Sequence, residues 1–165
     1  MRSDLMDQIM SGISFLGNAG MIWIALAVIL VIWNKHRSCG LTLAAGLIAS
    51  GLIGNVFLKN VVARPRPCWI NQSIELAIES PADFSFPSGH TLASFIAATI
   101  LFNYNKAWGA AAYILAGLIA FSRLYLYVHF LTDVLAGIVL GIAIGLAVSV
   151  LMNRVLDRMT NKTAG

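Results

Sequence analysis

The stretch SRLYLYVHFLTD runs from Ser122 to Asp133, and it is preceded by KNVVARPRP at Lys59–Pro67 and by PSGH at Pro87–His90. These three motifs contain four basic side chains, two of the three histidines and one carboxylate, within an otherwise apolar chain. An ionisable group at membrane depth costs about 2.5–3.5 kcal/mol at a helix centre, so such groups usually mark a functional site. Several cations with two histidines, and no cluster of thiols or carboxylates, indicate a site for a phosphate group.

The remainder of the chain has the composition of a membrane protein. Its 165 residues are 59% hydrophobic and 11% charged, with a net charge of +4, and the mean hydropathy is +0.82. Soluble domains carry about 25% charged residues, so this composition excludes a soluble domain. The length predicts one domain over residues 1–165, with no room for a second.

Five apolar segments are long enough to cross a bilayer. They lie at about 17–33, 40–58, 87–104, 108–124 and 130–152, and a polar stretch at 60–86 separates the second from the third. The sequence therefore predicts an all-α polytopic membrane helix bundle with about five transmembrane helices. Leu5, Ile9 and Leu16 recur near helical spacing among polar residues, which predicts an N-terminal interfacial helix. A frayed first turn of the first span is the alternative.

The distribution of Lys and Arg predicts the orientation. With five spans, the cations outside the motifs fall mainly on the side of the 34–37 loop and the C-terminus: Lys35, Arg37, Lys106, Arg154, Arg158 and Lys162. The other side receives the three motifs and most of the acidic residues. By the positive-inside rule the C-terminus is cytoplasmic, and the N-terminus and the motifs face outward.

Small residues recur at every fourth position in two of the spans. They are Gly46, Ser50 and Gly54 in the second span, and Gly137, Gly141 and Gly145 in the fifth. This spacing lets helix backbones approach closely. We expect the contacts to lie within the bundle, and a dimer interface is the alternative.

The two motif histidines have different sequence contexts. His129 and Asp133 are four residues apart, so on a helix they share a face, where a carboxylate can fix the imidazole tautomer. The other ring nitrogen is then available as a nucleophile or a base. His90 follows Ser88 and Gly89, which can cap a helix and offer backbone N–H groups to an anion. Taken singly, a satisfied buried histidine and an ordinary N-cap explain these two fragments equally well.

Three basic residues of the motifs are suited to binding a phosphoryl group: Lys59, Arg66 and Arg123. Basic residues that flank a membrane span are often simple anchors. These three lie on the side where positive charge is disfavoured, which argues against that explanation.

In their order and spacing, the three motifs resemble the signature of the type 2 phosphatidic acid phosphatase (PAP2) superfamily. That pattern is a lysine, six residues and Arg-Pro, then Pro-Ser-Gly-His, then Ser-Arg, five residues, His, three residues and Asp. Lys59–Pro67, Pro87–His90 and Ser122–Asp133 match it throughout. Members often have six membrane helices, whereas this chain has about five predicted. Arg64 lies outside the pattern, and we expect a surface residue there rather than a spare anion contact.

The resemblance implies a role for each motif residue. It implies that His129 attacks phosphorus and becomes a phosphohistidine, that Asp133 orients His129, and that His90 protonates the leaving oxygen and then activates water. The phosphate-binding residues that it implies are Lys59, Arg66, Ser88, Gly89 and Arg123. It implies no metal and no other cofactor, because the fixed cations neutralise the phosphate charge.

The resemblance and the outward placement of the motifs favour a lipid phosphate or diphosphate over a soluble sugar phosphate. We expect conversion of undecaprenyl diphosphate to undecaprenyl phosphate, with phosphatidic acid, phosphatidylglycerophosphate and lipid A phosphates as alternatives. The expected partners are this lipid and the surrounding membrane lipids, with no nucleic acid and an oligomeric state left open. Alternatives from other classes are a non-catalytic protein that binds or translocates lipid phosphates, a haloperoxidase-like protein and a structural bundle.

Overall fold

The fold is all-α throughout residues 3–163, the part of the chain that the computed structural model describes. Eight α-helices occur in that range, joined by 3-10 turns, a π-helical segment and loops. In chain order they are α1 (Asp4–Leu16), α2 (Met21–Ile32), α3 (Arg37–Ala49), α4 (Lys59–Val62), α5 (Pro67–Ile70), α6 (Gly89–Tyr104), α7 (Lys106–Tyr125) and α8 (Leu131–Thr163). The all-α prediction is confirmed.

One continuous helical rod carries the first motif. Helix α3 passes into a π-helical segment at Ser50–Leu58 and then into α4 without a break. The rod ends at Ala63, whose φ of 45° lies in the left-handed region, and the prolines at 65 and 67 keep the helix from continuing. The rod is therefore longer than the predicted span at 40–58, and it presents Lys59 on its last turn.

Helix α6 is the centre of the bundle, with Leu92, Ile96 and Ile100 completely buried. Both α3 and α8 approach it through their glycines. A methyl group at Gly46 would lie 2.7 Å from Ile96, and one at Gly141 would lie 3.0 Å from the carbonyl oxygen of Leu92. The small residues at every fourth position therefore serve packing within the bundle, as predicted.

The structure supports fewer transmembrane helices by length than the five predicted. Within residues 3–163, three helical stretches are long and apolar enough to cross a bilayer: Asn34–Ile70, Lys106–Tyr125 and Leu131–Leu156. A fourth is possible if Asp4–Leu16 and Asn18–Ile32, which meet at a 40° bend, form one broken span. Helix α6 has 16 residues and measures about 24 Å, which is short of the roughly 30 Å of a bilayer core.

Helix α1 is the amphipathic helix that the sequence predicts, and it packs against α7. Ser3 caps it by accepting a hydrogen bond from the backbone N–H of Met6. Met10 and Ser14 are buried, whereas Leu5 is exposed. A tight turn at Asn18–Gly20, with positive φ at its last two residues, connects α1 to α2.

Candidate active site

The three motifs meet at one end of the bundle, around a cavity of about 700 Å³. The last turn of the rod, the start of α6, the end of α7 and the loop before α8 converge there. Six of the eight predicted site residues line this cavity: Lys59, Arg66, Gly89, His90, Arg123 and His129. The other two, Ser88 and Asp133, are fully buried and are absent from its lining.

The contact between Arg66 and His129 fixes the state of the imidazole ring. Nη1 of Arg66 donates to the carbonyl oxygen of Val128 at 2.7 Å, and it lies 3.1 Å from Nε2 of His129. A guanidinium can only donate, so Nε2 must present its lone pair. The ring is therefore neutral, and its proton is on Nδ1.

Burial is the main reason that this ring stays neutral. Burial lowers the pKa of His129 to about 4. Asp133 opposes that change, but Arg66, Arg123 and Lys59 add to it through their positive charges. A neutral imidazole with a free lone pair is the form that can act as a nucleophile.

The carboxylate of Asp133 reaches His129 mainly through a bridging hydroxyl. Its Oδ2 lies 3.7 Å from Nδ1 of His129, which is longer than a hydrogen bond. Ser85 lies between them, since its Oγ donates to Oδ2 at 2.6 Å and is 3.4 Å from Nδ1. The backbone N–H of Phe130 also donates to Oδ2, at 2.9 Å. Asp133 is thus held rigidly, and Ser85 is a site residue that the motifs did not indicate.

Arg64 is not the surface residue that the sequence led us to expect. Its Nη1 donates to Oδ1 of Asp133 at 2.8 Å and to Oγ1 of Thr132 at 2.6 Å. The guanidinium also stacks over the ring of Phe130, with 4.1 Å to the centroid. The side chain is 34% exposed, so Arg64 closes the outer side of the Asp133 carboxylate. Two consecutive Arg-Pro pairs allow this, because the extended backbone turns Arg64 and Arg66 toward different carboxylates.

Asp83 occupies the space between the two predicted phosphate-binding cations of the first motif. Its carboxylate pairs with Lys59, and its Oδ1 lies 2.6 Å from Nη2 of Arg66. Its carbonyl oxygen accepts from Nε of Arg66 at 2.7 Å. The carboxylate is 55% exposed. Partial burial raises the pKa of Asp83, but the hydrogen bonds and charges of Lys59 and Arg66 outweigh it and lower the pKa to about 2.

Arg123 reaches the cavity from α7 and is held by the N-terminal helix. Its Nη1 donates to Oγ of Ser14, which is buried. Its Nε is also buried and has no hydrogen-bond partner among residues 3–163. Arg123 therefore keeps one donor unused beside the cavity.

Ser88 caps α6, as predicted, and its polar groups are already engaged. Its Oγ accepts from the backbone N–H of Thr91 at 3.5 Å and from Oγ1 of Thr91 at 2.9 Å. Its own N–H donates to the carbonyl oxygen of Asp133 at 3.2 Å. Gly89, which lines the cavity, is the residue of this pair with a first-turn N–H left for an anion.

The motifs and their geometry agree with the comparisons to known proteins. The profile of the PAP2 superfamily matches residues 40–157, which include all three motifs. The chain belongs to the PAP2 superfamily. An undecaprenyl-diphosphatase of Sulfolobus acidocaldarius is 36% identical over 117 residues, which make up 70% of this chain and 56% of that protein. This PAP2 chain thus spans little more than half the length of that relative.

Two solved structures share the fold of this chain. A transmembrane PAP2-type phosphatidylglycerolphosphate phosphatase from Bacillus subtilis has a TM-score of 0.76 and 28% identity, over 93% of this chain and 80% of the other. LpxE of Aquifex aeolicus has a TM-score of 0.71 and 29% identity, over 89% and 87%. This PAP2 protein is accordingly a multi-pass membrane protein.

The N-terminal segment of this PAP2 protein lies outside the matched residues 40–157, yet it contributes to the site. Nε2 of His90 lies 2.9 Å from Oδ1 of Asn18 in the turn after α1, and Ser14 holds Arg123. Sequence reasoning missed both, because neither residue is near a motif along the chain. The small-residue turn of Gly17, Asn18, Ala19 and Gly20 is the one local signal that the chain changes direction here.

The donors around the cavity are suited to an anion rather than to a cation. Three basic side chains, Lys59, Arg66 and Arg123, line it. Two acidic residues line it as well: Asp83, which pairs with Lys59 and Arg66, and Glu79. Within the described part of the chain, no three His, Cys, Asp or Glu side chains are grouped as a metal site would require.

Proposed function

We propose that this PAP2 protein is a lipid phosphatase that converts undecaprenyl diphosphate to undecaprenyl phosphate through a phosphohistidine at His129. The observation that supports it best is the convergence of Lys59, Arg66 and Arg123 with both histidines on one cavity. A neutral nucleophile next to three cations is the arrangement that phosphoryl transfer requires.

In the first half-reaction, Arg66 releases Nε2 of His129, which attacks phosphorus. A phosphorus–nitrogen bond forms as the bond from phosphorus to the leaving lipid oxygen breaks. His90 gives a proton to that oxygen. The Nδ1 proton of His129 stays on the side of Ser85 and Asp133, where the carboxylate stabilises the positive charge that the ring gains.

In the second half-reaction, water attacks the phosphohistidine and His90 takes a proton from it. The phosphorus–nitrogen bond breaks, inorganic phosphate leaves, and His129 returns to its neutral state. Lys59, Arg66, Arg123 and the N–H of Gly89 hold the non-bridging oxygens in both steps. Ser88 does not contact the phosphate in this proposal; it caps α6 and so fixes the positions of Gly89 and His90. The fixed cations take the place of a metal, so the reaction proceeds without one.

A lipid substrate is supported by an apolar path that begins at the site. A cavity of about 340 Å³ is lined by Lys59 and His90 at one end and by Ile24 and Leu47 at the other. Ile24 and Leu47 also line an apolar groove of about 400 Å³ between α2 and α3. A single lipid phosphate molecule would place its phosphate group at the cations and its hydrocarbon chain along this groove.

For the topology, we propose five crossings by α2, the rod, α6, α7 and α8, with α1 at the outer membrane surface. The C-terminus is cytoplasmic, and the cavity opens on the extracytoplasmic side. The distribution of Lys and Arg supports this orientation. Helix α6 is short for a span, but its neighbours bury it, so it need not match the bilayer alone. Single cysteines introduced at 72–79 should react with an impermeant maleimide from outside, and labelling only from the cytoplasm contradicts the orientation.

Phosphatidylglycerophosphate is the second candidate substrate. The observation in its favour is the similarity to the Bacillus subtilis structure, at a TM-score of 0.76. Its phosphate monoester and the terminal phosphate of a diphosphate present the same group to the cations, so competition between the two lipids decides between them.

The test is phosphate release by the purified protein in detergent with a chelator present. Undecaprenyl diphosphate, phosphatidylglycerophosphate and phosphatidic acid are compared by their kcat/KM. A higher kcat/KM for the diphosphate supports the proposal. A higher kcat/KM for a glycerolipid would make that lipid the proposed substrate in its place. Full activity of His129→Ala contradicts the covalent mechanism. Binding of lipid without release of phosphate would indicate a non-catalytic binding or translocating protein.

A further inference from the structure

The two ring nitrogens of His90 have different surroundings, because the turn at Asn18–Gly20 contacts only one of them. Oδ1 of Asn18 lies 2.9 Å from Nε2 of His90, across 72 residues of sequence. A carbonyl oxygen only accepts, so in this arrangement Nε2 carries a hydrogen that it donates to Asn18. For Nδ1 of His90, no hydrogen-bond partner is found among residues 3–163.

Gly17 brings the backbone of the turn against the same edge of the ring. A Cβ at this position would lie 2.8 Å from Cδ2 of His90, the ring atom next to Nε2. Any side chain here would displace His90, so the absence of one allows the contact. The turn then continues through Ala19 at φ 49° and Gly20 at φ 70°, which hold Asn18 between α1 and α6. Gly17 and Asn18 therefore define the position of one edge of the His90 imidazole.

We propose that Asn18 is a positioning residue for His90, whose Nδ1 it leaves free to exchange the proton of the reaction. The inference rests on the proposed function, since it takes His90 as the acid and base. A carbonyl acceptor on Nε2 is compatible with both the neutral ring and the imidazolium, because Nε2 carries a hydrogen in both. The Asn18 bond is thus kept while the proton moves at Nδ1, and the ring does not have to turn between the two half-reactions.

This arrangement assigns a catalytic purpose to a segment that the PAP2 profile does not match. The charged and titratable groups around His90 come from the other elements: Arg123, His129, Lys59 and Arg66. In the proposed function they bind or receive the phosphoryl group, and within residues 3–163 none of them forms a hydrogen bond with the ring of His90. Asn18 orients the ring, so its loss should affect proton transfer and leave anion binding intact.

The first experiment compares Asn18→Ala with Asn60→Ala. Asn60 is an exposed asparagine whose side chain bonds the carbonyl oxygen of Val56, away from the cavity. We expect kcat on undecaprenyl diphosphate to fall about 10- to 100-fold in Asn18→Ala, a part of the roughly 10²–10⁴-fold that acid–base catalysis supplies. Inhibition by orthovanadate, which reports the cations, should stay within about twofold, and Asn60→Ala should match the wild type.

A double-mutant cycle separates positioning from a structural role. If Asn18 acts through His90, adding Asn18→Ala to His90→Ala should cost no further activity. Additive losses overturn the inference. The isosteric Asn18→Asp keeps the acceptor and adds a negative charge beside His90, so the alkaline limb of kcat should move upward by about one pH unit. This variant also supplies the test if Asn18→Ala does not fold, and an unmoved limb overturns the inference.

Failure of the inference can be told apart from failure of the proposed function. A wild-type protein that turns over while Asn18→Ala equals Asn60→Ala overturns the inference alone. A wild-type protein that releases phosphate from none of the three lipids overturns the proposed function, and this inference with it.

Discussion

Both histidines line the cavity, but different residues hold them. Arg66 and Ser85 contact His129, and the carboxylate of Asp133 lies close by. His90 is held by a neutral amide and a glycine of the N-terminal turn. Charged neighbours favour one protonation state, whereas a neutral acceptor tolerates two. The cations Arg66, Arg123 and Lys59 lie near both rings, so the two histidines differ in their direct hydrogen-bond partners. The partners of His129 suit a nucleophile that starts neutral, and the Asn18 bond of His90 is compatible with either protonation state of that ring.

The largest expected effect separates the two histidines by the step that each one serves. His129→Ala should lose turnover by about 10⁴-fold or more, because it has no atom to accept the phosphoryl group. His90→Ala should still form the phosphoenzyme and hydrolyse it slowly, because the water then lacks a base. Rapid mixing of radiolabelled diphosphate with an alkaline quench measures the covalent species. An absence of label in His90→Ala would show that the first step cannot proceed without the proton that His90 gives to the leaving oxygen.

Asp133→Asn tests the charged side of the comparison. We expect kcat to fall by about 10²–10⁴-fold, because the amide no longer stabilises a positively charged His129 and can favour the wrong tautomer. The affinity for orthovanadate should change little, since Lys59, Arg66 and Arg123 remain. Ser85→Ala is the matched variant and should show a smaller loss, of about tenfold. Equal losses in the two variants would mean that Asp133 acts only through the Ser85 hydroxyl.

Arg64→Ala tests whether the second arginine of the first motif supports Asp133 from outside. We expect kcat to fall about three- to tenfold, because Asp133 loses a charge-assisted hydrogen bond at 2.8 Å. Arg64→Lys should restore part of the loss. Unchanged kinetics in both variants would show that Arg64 does not support Asp133 in the reaction.

The acid side of the stability profile should report the neutral state of His129. Its pKa is lowered from 6.5 to about 4, so between those values the unfolded chain binds the proton first. The stabilisation is complete above pH 6.5 and is lost as the pH falls toward 4. Melting temperatures in detergent should therefore fall over this range by several degrees more in the wild type than in His129→Gln. Parallel profiles would show that another group dominates.

The sequence predicted the part of the site that lies in continuous motifs. Lys59, His90, Arg123 and His129 line one cavity because each motif stands at the end of a helix, and helix ends meet at the same side of the bundle. The all-α class and the glycine contacts of α6 followed equally directly from composition and spacing.

The missed residues share a physical cause. Asn18, Ser14, Ser85 and Asp83 act through hydrogen bonds or ion pairs with residues that are distant in the chain. Such contacts depend on how helices pack, which no local pattern encodes. The number of spans was uncertain for a related reason, since a central helix such as α6 is shielded by its neighbours and is not required to satisfy the length rule alone.

The carboxylate of Asp83 already occupies the two cations of the first motif, Lys59 and Arg66, where the phosphate group is proposed to bind. With Lys59 and Arg66 already paired to Asp83, an arriving phosphoryl group replaces one anion with another. Under the proposed function, the affinity for phosphate is then the difference between two sets of ion pairs, and we expect the returning carboxylate to assist product release. We expect Asp83→Asn to bind orthovanadate severalfold more tightly and to release phosphate more slowly than the wild type. The wild-type carboxylate would then lower the affinity for phosphate and raise the turnover rate.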